Sequence, residues 1–246
     1  MSDQLTGYVE SEAVMMIAHA GGGYNGENYT NSIEALNKSY QAGFRYMEID
    51  FSWTSDGYLV CLHDWGKTFK KIFKYKPKQA ISYSEFKQLV TEHNDFNSCT
   101  LDSLASWLLD KPEVKIVTDI KHDNLKGIRF IIEKYPNLKA QLIPQFYQPA
   151  EYDILKKLGF DDLIWILYQY KGSKKSVVDL SQEMDLLAVS MRASQAKSRV
   201  YQTLLKFHRI FVYTINDEKI KSKLMKRYQV SGIYTDFLPS DEVAGL

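Results

Sequence analysis

Eight short apolar runs, separated for the most part by stretches of helical spacing, constrain what this chain can fold into. The runs are Val14 to Ala18, Tyr46 to Phe51, Val114 to Lys121, Leu142 to Tyr147, Leu163 to Tyr168, Leu186 to Ser190, Ile210 to Asn216 and Gly232 to Thr235. Helical periodicity falls between most of them, at Leu125 to Lys134, Ala150 to Leu158, Val177 to Met184, Ser194 to Phe207 and Asp217 to Tyr228. Near the start, Thr30 or Asn31 is placed to cap a helix carrying Ile33, Leu36 and Tyr40, which Gly43 ends. A strand, a helix and a second strand in succession form a parallel unit. Eight such strands are the number that closes a TIM barrel, an α/β fold. A doubly wound open sheet is the alternative, and no Walker-type loop supports it.

The 246 residues suit one such barrel, spanning 1–246, with 65–113 as an inserted excursion. Within the excursion, Ser82 to His93 and Leu101 to Leu109 have helical spacing, and Ser82 with Glu85 forms a capping box. Lys67, Lys70, Lys71, Lys74, Lys76 and Lys78 crowd its start and read as a solvated surface. Hydrophobic residues make up 45% and charged residues 25%, the balance of a globular protein. A formal net charge of +1 gives no general attraction to nucleic acid. Acids stand where a signal peptide would be basic, and no apolar run reaches the ~18 residues of a membrane span. A cytoplasmic location is therefore expected. Cys61 and Cys99 are expected to be reduced, partly buried thiols.

The chemistry concentrates between Met47 and Asp64. Glu48 and Asp50 are two apart in an apolar strand, so both carboxylates leave the same face. Two adjacent acids need a cation. Asp56-Gly57 is a strong hairpin signal; with those two as the turn, Ser55 pairs with Tyr58 and Asp50 stands opposite His63. His19 ends the first strand and enters the glycine-rich loop Gly21-Gly22-Gly23. Asp119 and Lys121 are again two apart on a strand. At the carboxyl ends of barrel strands these groups would converge on one mouth. Three carboxylates without cysteine make an oxygen-donor site suited to Mg²⁺ or Ca²⁺. A lysine beside it can hold a phosphate, and two histidines can divide the roles of acid and base. His93, His122 and His208 sit in contexts that suggest no role. A carboxylate-based glycosidase would need two acids flanking a sugar cleft, for which a chelating Glu-x-Asp is a poor start.

In order along the chain come His19-Ala20-Gly21, Thr30-Asn31-Ser32 leading to Ala35, Glu48-Ile49-Asp50, Thr54-Ser55-Asp56-Gly57, His63-Asp64, Asp119-Ile120-Lys121, Tyr213-Thr214-Ile215-Asn216 and Thr235-Asp236. This series resembles the glycerophosphodiester phosphodiesterase family, TIM barrels related to the phosphatidylinositol-specific phospholipases C. The resemblance implies a metal at Glu48, Asp50 and Asp119, acid and base roles for His19 and His63, and a phosphate contact from Lys121. It implies a small-molecule or lipid-derived glycerophosphodiester as substrate, cleaved to sn-glycerol 3-phosphate and an alcohol, with no nucleic-acid partner. The nucleophile is either water or a neighbouring hydroxyl of the substrate. Ala20 replaces the family's arginine, with Lys67 and Arg192 as possible substitutes for the missing charge. Thr30 and Tyr213 stand where the family has glutamate and tryptophan. Asp119 in place of glutamate is shared with sphingomyelinase D-like phospholipases, so a phospholipid head-group diesterase is the near alternative. A catalytically silent barrel that binds a phosphorylated ligand is a further one.

Overall fold

The computed structural model describes residues 14–92 and 95–240. Strand β1 (Met15–Ala18) runs into a 3-10 turn (His19–Gly21), followed by helix α1 (Ile33–Gln41) and strand β2 (Tyr46–Trp53). After β3 (Leu59–Cys61) come α2 (Lys67–Phe73), α3 (Tyr83–Glu92) and α4 (Leu101–Leu108). The rest alternates: β4 (Lys115–Ile120), α5 (Asn124–Lys134), β5 (Leu142–Phe146), α6 (Tyr152–Lys157), β6 (Ile164–Ile166), α7 (Lys174–Ser181) and β7 (Ala188–Arg192). It closes with α8 (Ala193–Ala196), α9 (Arg199–Gln202), β8 (Arg209–Tyr213), α10 (Glu218–Tyr228) and β9 (Gly232–Thr235).

Strand β1 pairs in parallel with both β9 and β2, so the sheet closes on itself as β1-β2-β4-β5-β6-β7-β8-β9. This is the expected eight-stranded TIM barrel, with antiparallel β3 paired to the carboxyl end of β2 at Phe51 to Trp53. Side-chain alternation sorts each strand into two layers. Met47, Ile49 and Phe51 of β2, with Ile116 and Ile120 of β4, join the large core beneath the helices. The opposite parity faces inward: Ile17, Val117, Ile143, Ile164, Ala188, Phe211 and Tyr234, one from each of seven strands, fill the lumen, with Tyr46 of β2 against them. That layer is the floor of the site. The residues two positions further along the same strands are His19, Glu48, Asp119, Gln145, Ile166 and Tyr213, and all six line the cavity above it.

The hairpin differs from its expected register by one residue. Phe51 opposes Cys61 and Trp53 opposes Leu59, which puts Leu62 opposite Asp50, its N–H on the Asp50 carbonyl at 3.0 Å. Residues 55–57 form a three-residue loop, with Gly57 at φ 82° and Thr54 donating its N–H to Tyr58. A three-residue turn with left-handed glycine at its end is a common hairpin closure, and the odd count shifts the pairing.

Helix starts also moved where a polar side chain had another partner. Ser32 caps α1, accepting from the Ala35 N–H at 3.1 Å, because Thr30 is turned to Ser32 and Asn31 to Asp50. Ser173 caps α7 through the Ser176 N–H, so the helix begins at Lys174, three residues before the expected start. The stretch 194–207 is broken into α8, α9 and a 3-10 turn (Thr203–Lys206) rather than one helix. The Ser82–Glu85 capping box is present, with Ser82 N–H donating to Glu85 Oε2 at 2.8 Å.

Between β3 and β4 the chain divides in two. Helices α2 and α3 cluster with Val60 and Leu62 through Phe69, Ile72 and Phe86, whereas α4 joins the main core through Leu101, Leu104 and Trp107. All six lysines of 67–78 are exposed. The expected reduced thiols are corrected: Cys61 and Cys99 form a disulfide, both fully buried. Cysteine spacing alone carries no pairing information, and the loop before α4 brings Cys99 against β3. Among the described residues, no helix is long and apolar enough to cross a membrane. The amino-terminal residues behind the cytoplasmic expectation, and His93, lie outside the described residues.

Candidate active site

The ends of all eight barrel strands, with the hairpin exit at His63 and the loop at Tyr29, build a cavity of about 180 Å³ at the carboxyl face of the barrel. At its base, Glu48, Asp50 and Asp119 each offer an oxygen, and these oxygens lie within 4.8 Å of one another. Register explains the grouping: β2 and β4 are parallel neighbours, and Asp50 sits directly opposite Asp119. All three are more than nine-tenths buried. Burying even one carboxylate costs several kcal/mol unless a cation or strong hydrogen bonds offset it, on the order estimated for ions in protein interiors.

Lys121 supplies part of that offset. Its Nζ lies 2.5 Å from Asp50 Oδ1 and 3.0 Å from Asp119 Oδ2. Burial disfavours the ammonium, but the two carboxylates outweigh it and hold the lysine well above its ordinary range. Asp50 is held low: burial opposes ionisation, while Lys121 and then the two histidines favour it. Glu48 goes the other way. Burial and the neighbouring Asp50 charge raise it, opposed by His19 and by the Ala20 N–H that donates at 2.7 Å. The raised Glu48 shows that three crowded carboxylates are not all readily ionised with only the chain's own cations beside them, and an all-oxygen donor set fits a divalent cation such as Mg²⁺ or Ca²⁺.

Both histidines enter the rim with an aspartate behind them. His19 Nδ1 is 2.8 Å from Asp236 Oδ1, and Asp236 in turn accepts from Asn216 Nδ2 at 2.8 Å. Burial lowers the affinity of His19 for a proton, but the Asp236 hydrogen bond and the charges of Glu48, Asp236 and Asp50 prevail, raising its pKa from 6.5 to about 9. His63 Nδ1 is 2.8 Å from Asp64 Oδ2. Burial raises the Asp64 pKa, but hydrogen bonds from His63, Thr68 and the Gly66 N–H prevail and bring it to about 2. Each histidine thereby has Nδ1 anchored on an aspartate, and Nε2 of His19 lies 3.9 Å from Glu48 Oε2. Tyr29 stands between the two rings, 4.8 Å from each centroid and edge-on to both.

The structure brings together the six residues given catalytic, metal or phosphate roles from the sequence: His19, Glu48, Asp50, His63, Asp119 and Lys121 all line the same cavity. His63 reaches the lining despite the altered register, two residues beyond the end of β3. Of the two candidates for extra positive charge, Arg192 at the end of β7 lines the cavity, while Lys67 is exposed on α2 outside its lining. Tyr213 also lines it, and Thr30 is buried in a hydrogen bond with Ser32. His122 is exposed, and buried His208 is satisfied by the Ser181 carbonyl at 2.7 Å.

Four contributors had no assigned role from the sequence. Asp236 and Asn216 stood in the ordered motifs, so their signal was present. Tyr147 donates to Asp119 from the end of β5, and Tyr29 precedes α1; neither carries a local pattern that distinguishes it from a packing tyrosine. Gly22 shows why the loop after His19 is glycine-rich. Its φ is 97°, and a β-carbon there would stand 2.2 Å from Ser39 Oγ.

Residues 21–135 match the Glycerophosphoryl diester phosphodiesterase family. The matched stretch holds five of the six cavity residues and stops short of His19. Solved structures align over nearly the whole chain. A glycerophosphodiester phosphodiesterase from Thermotoga maritima is 23% identical, covers 91% of this chain and 94% of its own, and superposes with a TM-score of 0.72. One from Parabacteroides distasonis is 18% identical over 91% and 94%, with a TM-score of 0.67. An Oleispira antarctica phosphodiesterase, solved in complex with the product sn-glycerol-3-phosphate, is 17% identical over 91% and 93%, with a TM-score of 0.67. All three share with this chain the TIM-barrel fold.

Proposed function

We propose that this protein is a metal-dependent phosphodiesterase that hydrolyses a glycerophosphodiester to sn-glycerol 3-phosphate and an alcohol. The observation that carries the reading is the placement of two aspartate-backed histidines on the rim of a cavity whose base is the three-carboxylate cluster. Glu48, Asp50 and Asp119 would hold the cation. When bound, a divalent cation polarises a phosphoryl oxygen and cancels negative charge.

The chain's own residues do the rest. His63, with Nδ1 on Asp64, takes the proton of the attacking hydroxyl at Nε2, and that oxygen forms the new bond to phosphorus. The bond from phosphorus to the leaving oxygen breaks, and His19 supplies the proton that oxygen needs. The elevated His19 pKa supports the acid role, since it keeps the ring protonated at neutral pH. Lys121 and Arg192 flank the anion from opposite sides of the barrel. The small size of the cavity, about 180 Å³, favours a glycerol phosphate over a bulkier moiety. The product seen in the Oleispira antarctica protein agrees with that choice.

We also read the chain as one barrel domain over 1–246 with 65–113 inserted. For location, the disulfide shifts weight from the cytoplasm toward an oxidising compartment. The test of function is ³¹P NMR of metal-stripped protein with Mg²⁺ or Ca²⁺ restored, across glycerophosphocholine, glycerophosphoethanolamine, glycerophosphoglycerol and lysophospholipids. Cation-dependent release of glycerol 3-phosphate, lost in His19→Ala, is expected. Head-group loss from lysophospholipids alone would favour the sphingomyelinase D-like alternative. Silence on all of them would favour a binding barrel.

A further inference from the structure

Beside the acidic cluster runs a hydrogen-bonded seam that the proposed chemistry does not use. Residues 97–100 lie between the entry to α1 and strand β3. Ser32 bridges to Ser98 and Val60 to Thr100. Ile33 donates its N–H to the Asn97 carbonyl at 3.0 Å, Cys99 to the Asn31 carbonyl at 2.7 Å, and Cys61 to the Cys99 carbonyl at 2.8 Å. The Cys61–Cys99 disulfide fastens the seam covalently.

One end of this seam holds a cluster carboxylate. Asn31 Nδ2 donates to Asp50 Oδ2 at 3.1 Å, and the Asp50 N–H donates back to Asn31 Oδ1 at 3.0 Å. The other end continues from Cys61 to His63 in two residues. Asn31, Asp50, Cys61 and Cys99 are each at most 1% exposed. Tyr29 adopts φ 59°, a left-handed conformation uncommon for a bulky residue, and Asn31 adopts φ 46°, one that asparagine tolerates. The Asn31 backbone is held from two sides, its N–H donating to the Ala20 carbonyl at 3.2 Å and its carbonyl accepting from the Cys99 N–H of the seam at 2.7 Å.

We propose that the Cys61–Cys99 disulfide is a positioning clamp that keeps Asn31 on Asp50 and thereby sets the cation affinity of the acidic cluster, an inference that rests on the cation site proposed above. The bond forms by exchange: the two thiols of Cys61 and Cys99 are oxidised to the disulfide while an external disulfide is reduced and leaves as two thiols, carrying the two protons. Cysteines 61 and 99 touch neither substrate nor cation. They act through Asn31.

The experiment is calorimetric titration of Ca²⁺, and separately Mg²⁺, into metal-stripped full-length protein well below its melting temperature. Four proteins are compared: wild type, Cys61→Ala/Cys99→Ala, Asn31→Ala, and all three substitutions together. Removing the disulfide is expected to weaken binding about 10-fold, the lower end for groups that orient metal ligands. Asn31→Ala is expected to do the same, and the combination to lose no more than either, because both act on one contact. A disulfide that only stabilises the fold would leave affinity unchanged or add its loss independently of Asn31, and either result overturns the clamp. If Asn31→Ala does not fold, wild type reduced with dithiothreitol and alkylated takes its place, with the same 10-fold loss expected and no loss overturning the inference. Two free thiols persisting after exposure to glutathione disulfide would overturn the bond itself. Wild type that binds neither cation overturns the cation site, and the clamp with it; wild type that binds while the disulfide-free protein matches it overturns the clamp alone.

Discussion

Replacing Asp236 with asparagine isolates what the aspartate behind His19 contributes. The substitution keeps the shape of the side chain and removes its charge. In the native protein Asp236 Oδ1 lies 2.8 Å from His19 Nδ1, with both side chains largely buried and Asn216 holding the other carboxylate oxygen. A hydrogen bond to a charged group is worth about 1.5–3 kcal/mol. At about 1.4 kcal/mol per factor of ten, its loss in the transition state lowers turnover roughly 10- to 100-fold. The titration carries the sharper signature. In metal-free protein His19 is raised from 6.5 to about 9 against the effect of burial, with Asp236 the leading upward contribution. Because the folded value is raised, His19 contributes stability that is fully present below pH 6.5 and is lost as pH rises through about 9. Asp236→Asn should therefore move the His19 midpoint down toward or below 6.5 and remove that alkaline loss of stability. Ring-nitrogen NMR of the metal-stripped protein reads the midpoint, and denaturant unfolding at pH 7 and pH 9 reads the stability. An unchanged midpoint with unchanged turnover would refute the coupling between the two residues.

Other consequences follow from the same geometry. His63→Ala should lower turnover by about 100-fold or more while leaving cation affinity, read by calorimetry, within roughly two-fold of wild type, as expected for loss of a proton-transfer group. Asp102→Asn should flatten the acid limb of stability. Burial opposes ionisation of Asp102, but Lys134, Tyr135 and Tyr83 bring its pKa to about 2, so its contribution is present above pH 3.8 and lost as pH falls through about 2, as denaturant melts between pH 5 and pH 2 will show. Its partial exposure screens the effect and keeps it small. Ala20→Arg should destabilise the protein and weaken cation binding. Ala20 is fully buried, sits at φ 50° and gives its N–H to Glu48, so an arginine there has no room without moving that contact; wild-type melting temperature and affinity would contradict this.

Most of the fold was readable because a barrel repeats one rule eight times. Short apolar runs marked every barrel strand, and the two-residue spacing in Glu48–Asp50 and Asp119–Lys121 placed each pair on one shared face, which is the inner one. What was not readable depended on contacts distant in sequence. The hairpin register turned on whether Asp56-Gly57 was the whole loop or part of a three-residue one. The α1 cap moved to Ser32 because Asn31 is occupied by Asp50, 19 residues away. The Cys61–Cys99 pairing spans 38 residues and exists only because residues 97–100 dock against β3. Tyr29 lies between two histidines that sequence spacing alone does not bring together.

On the reading proposed above, Glu48, Asp50 and Asp119 hold a divalent cation at the base of the cavity. A crystal of the protein soaked in Ca²⁺ and measured for anomalous scattering tests it directly. The account predicts a peak coordinated by oxygens of all three side chains at about 2.3–2.6 Å, the usual calcium range, with the Lys121 ammonium drawn away from Asp50. A cluster without anomalous density, in which Lys121 still bridges Asp50 and Asp119, would contradict it.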